Sequence, residues 1–266
     1  MLYGLDEPCD FAELLRRVHD IEGIHRIRFA SPHPRHVTPR LIEAIRDLPK
    51  VAKHLHLPVQ SGCNTILKAM RQRYTREEYL DLVQTLRETI PGIALSTDMI
   101  VGFPGETDAD FELTMDLVRR SRYHAMFSFK YSPRPNTLAI KRLPDDVTEG
   151  EKTRRIVALQ HLQRDIQAGL YANMVGEGHD VLVDAVSKRR DWELSGRTSG
   201  NTVVNFAGDP ALVGRLVGVA LHQRAVAAYG VLLSQTLGGR AAVGQLLGST
   251  FLGAQEGRQR RALRAV

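Results

Sequence analysis

Cysteine is nearly missing from this chain. Only Cys9 and Cys63 occur in 266 residues. Two thiols so far apart build no disulfide framework, and a reducing cytosol fits. No apolar run approaches the roughly 20 residues that a membrane span needs. The first ten residues lack the basic-then-apolar order of a secretion signal. These absences lead to the expectation of a soluble, cytoplasmic protein. A Gly-x-Gly-x-x-Gly turn is absent too, which argues against a dinucleotide-binding sheet. Acidic residues run out towards the end: residues 235–266 hold only Glu256 and finish with a basic Arg258-Gln259-Arg260-Arg261 stretch.

What is present is a hydrophobic fraction of 43% and a formal charge of +6. The first is enough for a sizeable core and too high for a disordered chain. The second permits a polyanionic partner without demanding one. Over the first two-thirds, strands alternate with helices. Residues 26–30, 54–60, 94–102 and 125–131 read as strands. Residues 38–47, 64–72, 75–88, 107–121 and 148–172 read as helices. Thr38 with Pro39 marks one start. Thr75 with Glu78, and Thr107 with Asp110, mark two more as capping boxes. Strands separated by helices imply parallel βαβ units, here part of an α/β barrel, with an open doubly wound sheet as the alternative. Domain one is expected over residues 1–172. From residue 173 the runs shorten and alternate (179–185, 192–196, 202–206, 216–221, 229–233), predicting a small antiparallel β-barrel of five strands over residues 173–234. Residues 235–266 read as a poorly ordered or weakly helical tail.

The parallel strands leave through four special turns: Ser31-Pro32-His33-Pro34, Gln60-Ser61-Gly62, Gly102-Phe103-Pro104-Gly105-Glu106 and Ser132-Pro133-Arg134-Pro135. Strand C-terminal ends are where parallel α/β folds place their sites. Strand faces sharpen the reading. His56, Pro58 and Gln60 alternate with Leu55, Leu57 and Val59; Ser96, Asp98, Ile100 and Gly102 alternate with Leu95, Thr97, Met99 and Val101. A strand buried on both sides should be apolar on both, so the polar faces suggest a lumen that holds something polar. Asp98 needs a partner there. A ligand ribose hydroxyl or ammonium would serve, and so would a structural arginine such as Arg28. His54 and His56 at i, i+2 have no third metal ligand nearby and read as structural. Cys63 reads as a small filler. In the β domain, Ser187-Lys188-Arg189-Arg190 beside Trp192, and Arg197 further on, suit RNA backbone contacts or a solvated hairpin tip equally.

Several long motifs now carry a resemblance. HLHLPVQSG (residues 54–62), MRQRYTREEY (70–79), STDMIVGFPGET (96–107) and FSFKYSPRPNT (127–137) are similar, in order and spacing along residues 10–233, to the methylthiotransferases of the radical S-adenosylmethionine superfamily. SGRTSGNTVVNFAG (195–208) looks like that family's TRAM domain, a small RNA-binding barrel. Phe29-Ala30-Ser31-Pro32-His33-Pro34 and the GRT…VVNF stretch resemble the branch acting on transfer RNA adenosine near the anticodon. The resemblance implies a partial radical-SAM barrel followed by a TRAM-like barrel. It implies sulfur insertion at C2 of (isopentenyl)adenosine in tRNA, then methylation, with S-adenosyl-L-methionine supplying both a radical and a methyl group. Carried over residue by residue, it implies a cofactor pocket of Gln60, Ser96 and Asp98 with His33 and Arg134, closed by a turn in which Gly102 and Gly105 let backbone approach the adenine. Lys188, Arg189, Arg190 and Arg197 would steer tRNA phosphates.

One departure bears on activity. The family holds 4Fe-4S clusters on a Cys-x-x-x-Cys-x-x-Cys loop and on three cysteines of an N-terminal domain. A cubane needs three or four thiolates, and neither Cys9 nor Cys63 matches a family ligand. The expectation is therefore a chain that binds no iron and is inactive by itself, a truncation or incomplete sequence whose partner is the missing N-terminal portion of the same enzyme. Residues 26–30 would then be an exposed edge strand, with poor solubility as the consequence. Two other readings remain open: a catalytically inactive RNA-binding fragment, and a methylthiotransferase acting on a ribosomal protein or on threonylcarbamoyl-adenosine tRNA.

Overall fold

The computed structural model describes residues 9–30, 32–135, 138–188, 190–224, 231–236 and 244–246. Two compact units are present. The first runs to Leu170 and takes in Ser199–Asn201; the second begins at Tyr171.

The first unit opens with α1 (Phe11–His19), a helix the sequence reading passed over. Asp10 caps it by accepting from the Glu13 amide, and Ala12 and Leu15 are its buried residues. Helix α2 (Pro39–Asp47) starts as expected, with the Thr38 hydroxyl accepting from the Leu41 amide and proline at the first position. After β1 (His54–His56) come α3 (Asn64–Ala69) and α4 (Arg76–Thr89), whose Thr75/Glu78 capping box is formed in full. Then β2 (Ala94–Val101) leads to α5 (Asp108–Ser121), capped reciprocally by Thr107 and Asp110. After β3 (Ala125–Lys130) follow α6 (Leu138–Arg142) and α7 (Glu149–Asn173).

The strands form one parallel sheet in the order β1-β2-β3, with His56 beside Ser96 and Asp98 beside Phe127. One face is apolar. Leu55, Leu57 and Val59, with Leu95, Met99 and Val101, join Tyr79, Val83 and Leu86 of α4 and Phe111, Leu117 and Val118 of α5 in a single buried cluster. Each such side chain contributes roughly 1.5–3 kcal/mol of transfer free energy. Helix α7 buries a stripe at helical spacing that is mostly polar: Lys152, Arg155, Leu159, Gln163 and Ile166. Each of its polar members has a partner, although the Gln163 side-chain oxygen is buried without one. Lys152 pairs with Asp145 at 2.8 Å, Arg155 with Glu106 at 2.8 Å, and Gln163 donates to the Tyr123 carbonyl at 2.7 Å.

The expected strand over residues 26–30 does not form. Only Ile27 bridges Val51, through the Ile27 amide to Lys50 (2.7 Å) and the Ala52 amide to Ile27 (3.0 Å). Alternating charged and apolar residues propose a strand, but a ladder exists only as far as a neighbour stays in register. The exposed edge inferred from that strand shrinks to a single bridge.

The second unit is an antiparallel sheet: β4 (Gly178–Val186), β5 (Glu193–Arg197), β6 (Val203–Ala207), β7 (Leu216–Arg224), β8 (Val231–Thr236) and β9 (Gly244–Leu246), ordered β8-β7-β4-β5-β6-β9. Among the described residues there are six strands where five were expected. The sixth, β9, pairs with β6 and arises inside the glycine-rich residues 235–266, where composition pointed to little order. The sheet curls, so that the two end strands β8 and β9 come close to each other. Its core follows strand alternation: Val181 and Val183, Leu194, Val204 and Phe206, Val219 and Leu221.

Candidate functional site

The second face of the parallel sheet is polar and aromatic, and stays half-buried. It carries His54 and His56 from β1, Asp98 and Ile100 from β2, and Phe127 and Phe129 from β3. Ser96, buried, ties it together: its hydroxyl is 3.0 Å from His54 Nε2 and 2.9 Å from His56 Nδ1. A hydroxyl has one proton to give, so at least one ring donates to it. His56 Nε2 lies 3.4 Å from Asp98 Oδ1, and its ring meets Phe127 edge-on at 5.7 Å between centroids. One proton arrangement serves every group: His54 Nε2–H donates to Ser96, Ser96 donates to His56 Nδ1, and His56 Nε2–H points to Asp98. The two histidines thus hold a serine. Among the described residues, no group of three His, Cys, Asp or Glu is placed to hold a metal.

Gln60 departs from simple alternation. His56 pairs with Ser96, yet Gln60 bridges Met99, one residue short of the straight register. The extra residue is absorbed at Gln60 itself, which takes φ +72°. A left-handed glutamine is uncommon and costs strain of order 1 kcal/mol or more. Its backbone is locked: the Gln60 amide donates to the Asp98 carbonyl at 2.9 Å, and its carbonyl accepts from Ile100 at 2.8 Å. Such bulges re-aim a side chain at the end of a strand.

Gln60, Ser96 and Asp98 therefore come together on neighbouring strands. His33 is exposed at the head of a short 3-10 turn, its ring 5.4 Å from that of Tyr74. Tyr74 donates to the Val59 carbonyl at 3.0 Å, next to Gln60. Burial and neighbouring cations lower the His33 pKa, opposed by a bond to Gln72. Arg134 lies exposed in the loop after β3.

The glycine turn is closed by the protein itself. The Gly102 amide donates to Glu106 Oε2 at 2.6 Å, and the Gly105 amide to Asp146 Oδ1 at 2.8 Å. A Cβ on Gly102 would sit 2.3 Å from Lys152 Cγ. Both amides are thus occupied by carboxylates of the protein, and Gly102 is needed where the α7 lysine crosses it. Glu106 is fully buried, and burial raises its pKa despite Arg155 at 2.8 Å. Sequence reading missed the Glu106–Arg155 pair and the neighbouring Lys152–Asp145 pair. Their signal lay in charges at helical spacing along α7, which also describe a solvated face.

Cys63 is buried, and its thiol donates to Asp110 Oδ1 at 2.8 Å. Burial and that carboxylate raise its pKa, the reverse of what a thiolate ligand needs. The residues present do not fit an iron–sulfur cluster. In the second unit, Lys188 is exposed and Arg189 lies outside the described residues. Arg190 pairs with Glu193 at 2.8 Å and Arg197 with Asp184 at 3.4 Å. No described helix is long and apolar enough to cross a membrane.

With this geometry in view, comparison with known proteins is direct. The sequence pattern of the Radical SAM superfamily matches residues 3–118. The chain is 48% identical over 223 residues to tRNA-2-methylthio-N(6)-dimethylallyladenosine synthase of Thermoanaerobacter pseudethanolicus, covering 83% of this chain and 47% of that one. Over these residues the chain is similar to the methylthiotransferases of the radical S-adenosylmethionine superfamily. Family members of the same name from Geobacter metallireducens (48% identical, 82% of this chain, 50% of that one) and Neisseria meningitidis (46%, 82%, 49%) agree. The chain spans about half the length of these curated relatives. Among solved structures, it aligns with coproporphyrinogen III oxidase from Escherichia coli at a TM-score of 0.43 and 13% identity, over 67% of this chain and 46% of that one.

Proposed function

We propose that the chain is the portion of a tRNA-modifying methylthiotransferase that binds S-adenosylmethionine and RNA. The reaction is methylthiolation at C2 of an (isopentenyl)adenosine near the anticodon. The observation that carries this reading is the half-buried Asp98 on an otherwise packed parallel sheet. Its Oδ1 faces His56, and Oδ2 has no protein partner among the described residues. A carboxylate so placed accepts hydrogen bonds from vicinal ribose hydroxyls or from an ammonium. Gln60, re-aimed by its bulge, adds an amide at the strand end. Phe127 and Phe129 offer apolar surface for a purine. His33, whose ring lies 5.4 Å from that of Tyr74, would approach this end, and Arg134 would join it from the loop after β3. S-adenosylmethionine, once bound, supplies the radical and the methyl group.

The 4Fe-4S clusters of the family would need thiolates from outside this chain, so residues supplied by the rest of the enzyme are its first partner. The same cysteine inventory favours a second reading, an RNA-binding fragment without catalysis. In both, the second unit acts as a TRAM-like RNA-binding domain, with Lys188, Arg189, Arg190 and Arg197 steering phosphates.

Equilibrium dialysis with S-adenosylmethionine and gel-shift titration with unmodified tRNA separate the readings. Binding of both, with S-adenosylmethionine affinity falling by about one to two orders of magnitude in Asp98→Asn, is the expected result for one lost charge-assisted contact of roughly 1.5–3 kcal/mol. A tRNA shift without cofactor binding would favour the fragment reading. Failure to shift tRNA would overturn both.

A further inference from the structure

We infer that Trp192 is a preformed stacking platform for an unpaired nucleobase of single-stranded RNA. The inference rests on the RNA-binding reading above and adds to it a site and a ligand class.

Trp192 is the only tryptophan in the chain and stands in the β4–β5 loop with 56% of its surface exposed. The loop holds it in place. Ser187 donates its amide to the Glu193 carbonyl at 2.7 Å, and Glu193 donates its amide to the Arg190 carbonyl at 3.1 Å. The Arg190 guanidinium lies over the indole, 5.4 Å from the ring centroid. That guanidinium is itself anchored, because its Nη1 donates at 2.8 Å to a Glu193 carboxylate that is only 3% exposed. A buried acid fixes an arginine, the arginine covers part of the ring, and most of the residue still reaches solvent. Ordering the platform in advance removes the entropy that a floppy exposed side chain would lose on binding.

The ligand class follows from what surrounds the ring. Lys188 is exposed on the same loop, Arg189 adjoins it in sequence, and the opposing acids are Asp191, exposed, and Glu193, already paired. A π-face beside excess cationic charge suits a base carried on a phosphate backbone. In an A-form duplex the bases are already stacked and unavailable, so the platform takes loops and single strands.

The single tryptophan makes the test specific. The full chain is titrated with a short single-stranded RNA and with a duplex of equal phosphate count. Indole emission is read alongside the anisotropy of the labelled RNA. We expect saturable quenching by the single strand but not by the duplex. Affinity for the single strand should fall about tenfold in Trp192→Leu, with an unchanged salt dependence, and be largely restored in Trp192→Phe. Lys188→Gln should instead flatten the salt dependence. Unchanged emission while labelled RNA binds, equal quenching by the duplex, or equal affinity in Trp192→Leu would overturn the platform and leave RNA binding standing. If no RNA bound at all, the RNA-binding reading would fall with it.

Discussion

His56 and Asp98 meet across neighbouring parallel strands, with Nε2 3.4 Å from Oδ1, while the other nitrogen of the same ring rests 2.9 Å from the Ser96 hydroxyl. The pair divides structural from functional work. Ser96 is buried and holds two imidazoles; the Asp98 side chain is 30% exposed and holds one loosely. Ser96→Ala should cost about 1–2 kcal/mol, since two half-buried ring nitrogens lose a hydrogen bond. Asp98→Asn should stay within about 0.5–1 kcal/mol. Urea unfolding of the two variants checks this. Equal losses would mean that Asp98 is a structural group.

The glycine turn gives a sharper contrast. Gly102 (φ +70°) and Gly105 (φ +79°) share a left-handed backbone but not their surroundings. A Cβ at 105 meets nothing within 4 Å, whereas one at 102 meets the buried Lys152 chain. Gly105→Ala should cost about 1 kcal/mol from backbone strain alone. Gly102→Ala should cost about 2–4 kcal/mol, strain plus displacement of a side chain held by Asp145. Chemical denaturation at neutral pH distinguishes them.

Two tyrosines make a relay inside the core. Tyr123 donates to the Tyr79 hydroxyl at 2.9 Å, and Tyr79 donates to the Leu57 carbonyl at 2.8 Å. That carbonyl also accepts from Thr97 at 2.9 Å, so it keeps one partner without Tyr79. Tyr79→Phe strands the Tyr123 hydroxyl and should cost about 1–2 kcal/mol; Tyr123→Phe should cost less. The double variant should lose less than the sum of the two, because the second change removes the group the first left unpaired. A double-mutant cycle in urea measures it.

His124 predicts a pH dependence. Burial, with Arg87 adding repulsion, lowers its pKa from 6.5 to about 4. The neutral ring accepts the Leu95 amide at Nδ1, which a protonated nitrogen could not do. In the unfolded chain the ring takes up a proton below its ordinary pKa, and in the folded chain it resists until about pH 4. The unfolded state therefore binds more protons in that window. This contribution is whole above pH 6.5 and declines as pH falls towards 4, no faster than about 1.4 kcal/mol per pH unit. Melting curves of wild type and His124→Gln between pH 7 and 4 should converge as the pH drops. Parallel curves would sink the assignment.

Much of the first unit was legible because its signals are local. Thr38, Thr75 and Thr107 cap helices through contacts three residues away, and all three form. Helix α1 carries the same kind of signal in Asp10 and Glu13. The alternation of Leu55, Leu57 and Val59 told which face of β1 enters the core. Local pattern failed at residues 26–30, because a strand needs a neighbour in register. It failed again at β9, where three residues pair with β6 in a stretch whose composition suggests little order.

By itself, then, the sequence determined the capped helices, the apolar side of the parallel strands, the family resemblance, and the polar trio Gln60, Ser96 and Asp98. Only the tertiary structure decided what those polar groups do. It turned Ser96 inward as a clamp on two histidines, bent the chain at Gln60 by one extra residue, and left one Asp98 oxygen without a partner among the described residues. It also gave the amides of Gly102 and Gly105 to carboxylates from elsewhere in the unit. Caps and alternation depend on neighbours a few residues away, which any sequence displays. Register, hydrogen-bond partners and burial depend on segments that meet only when the chain folds.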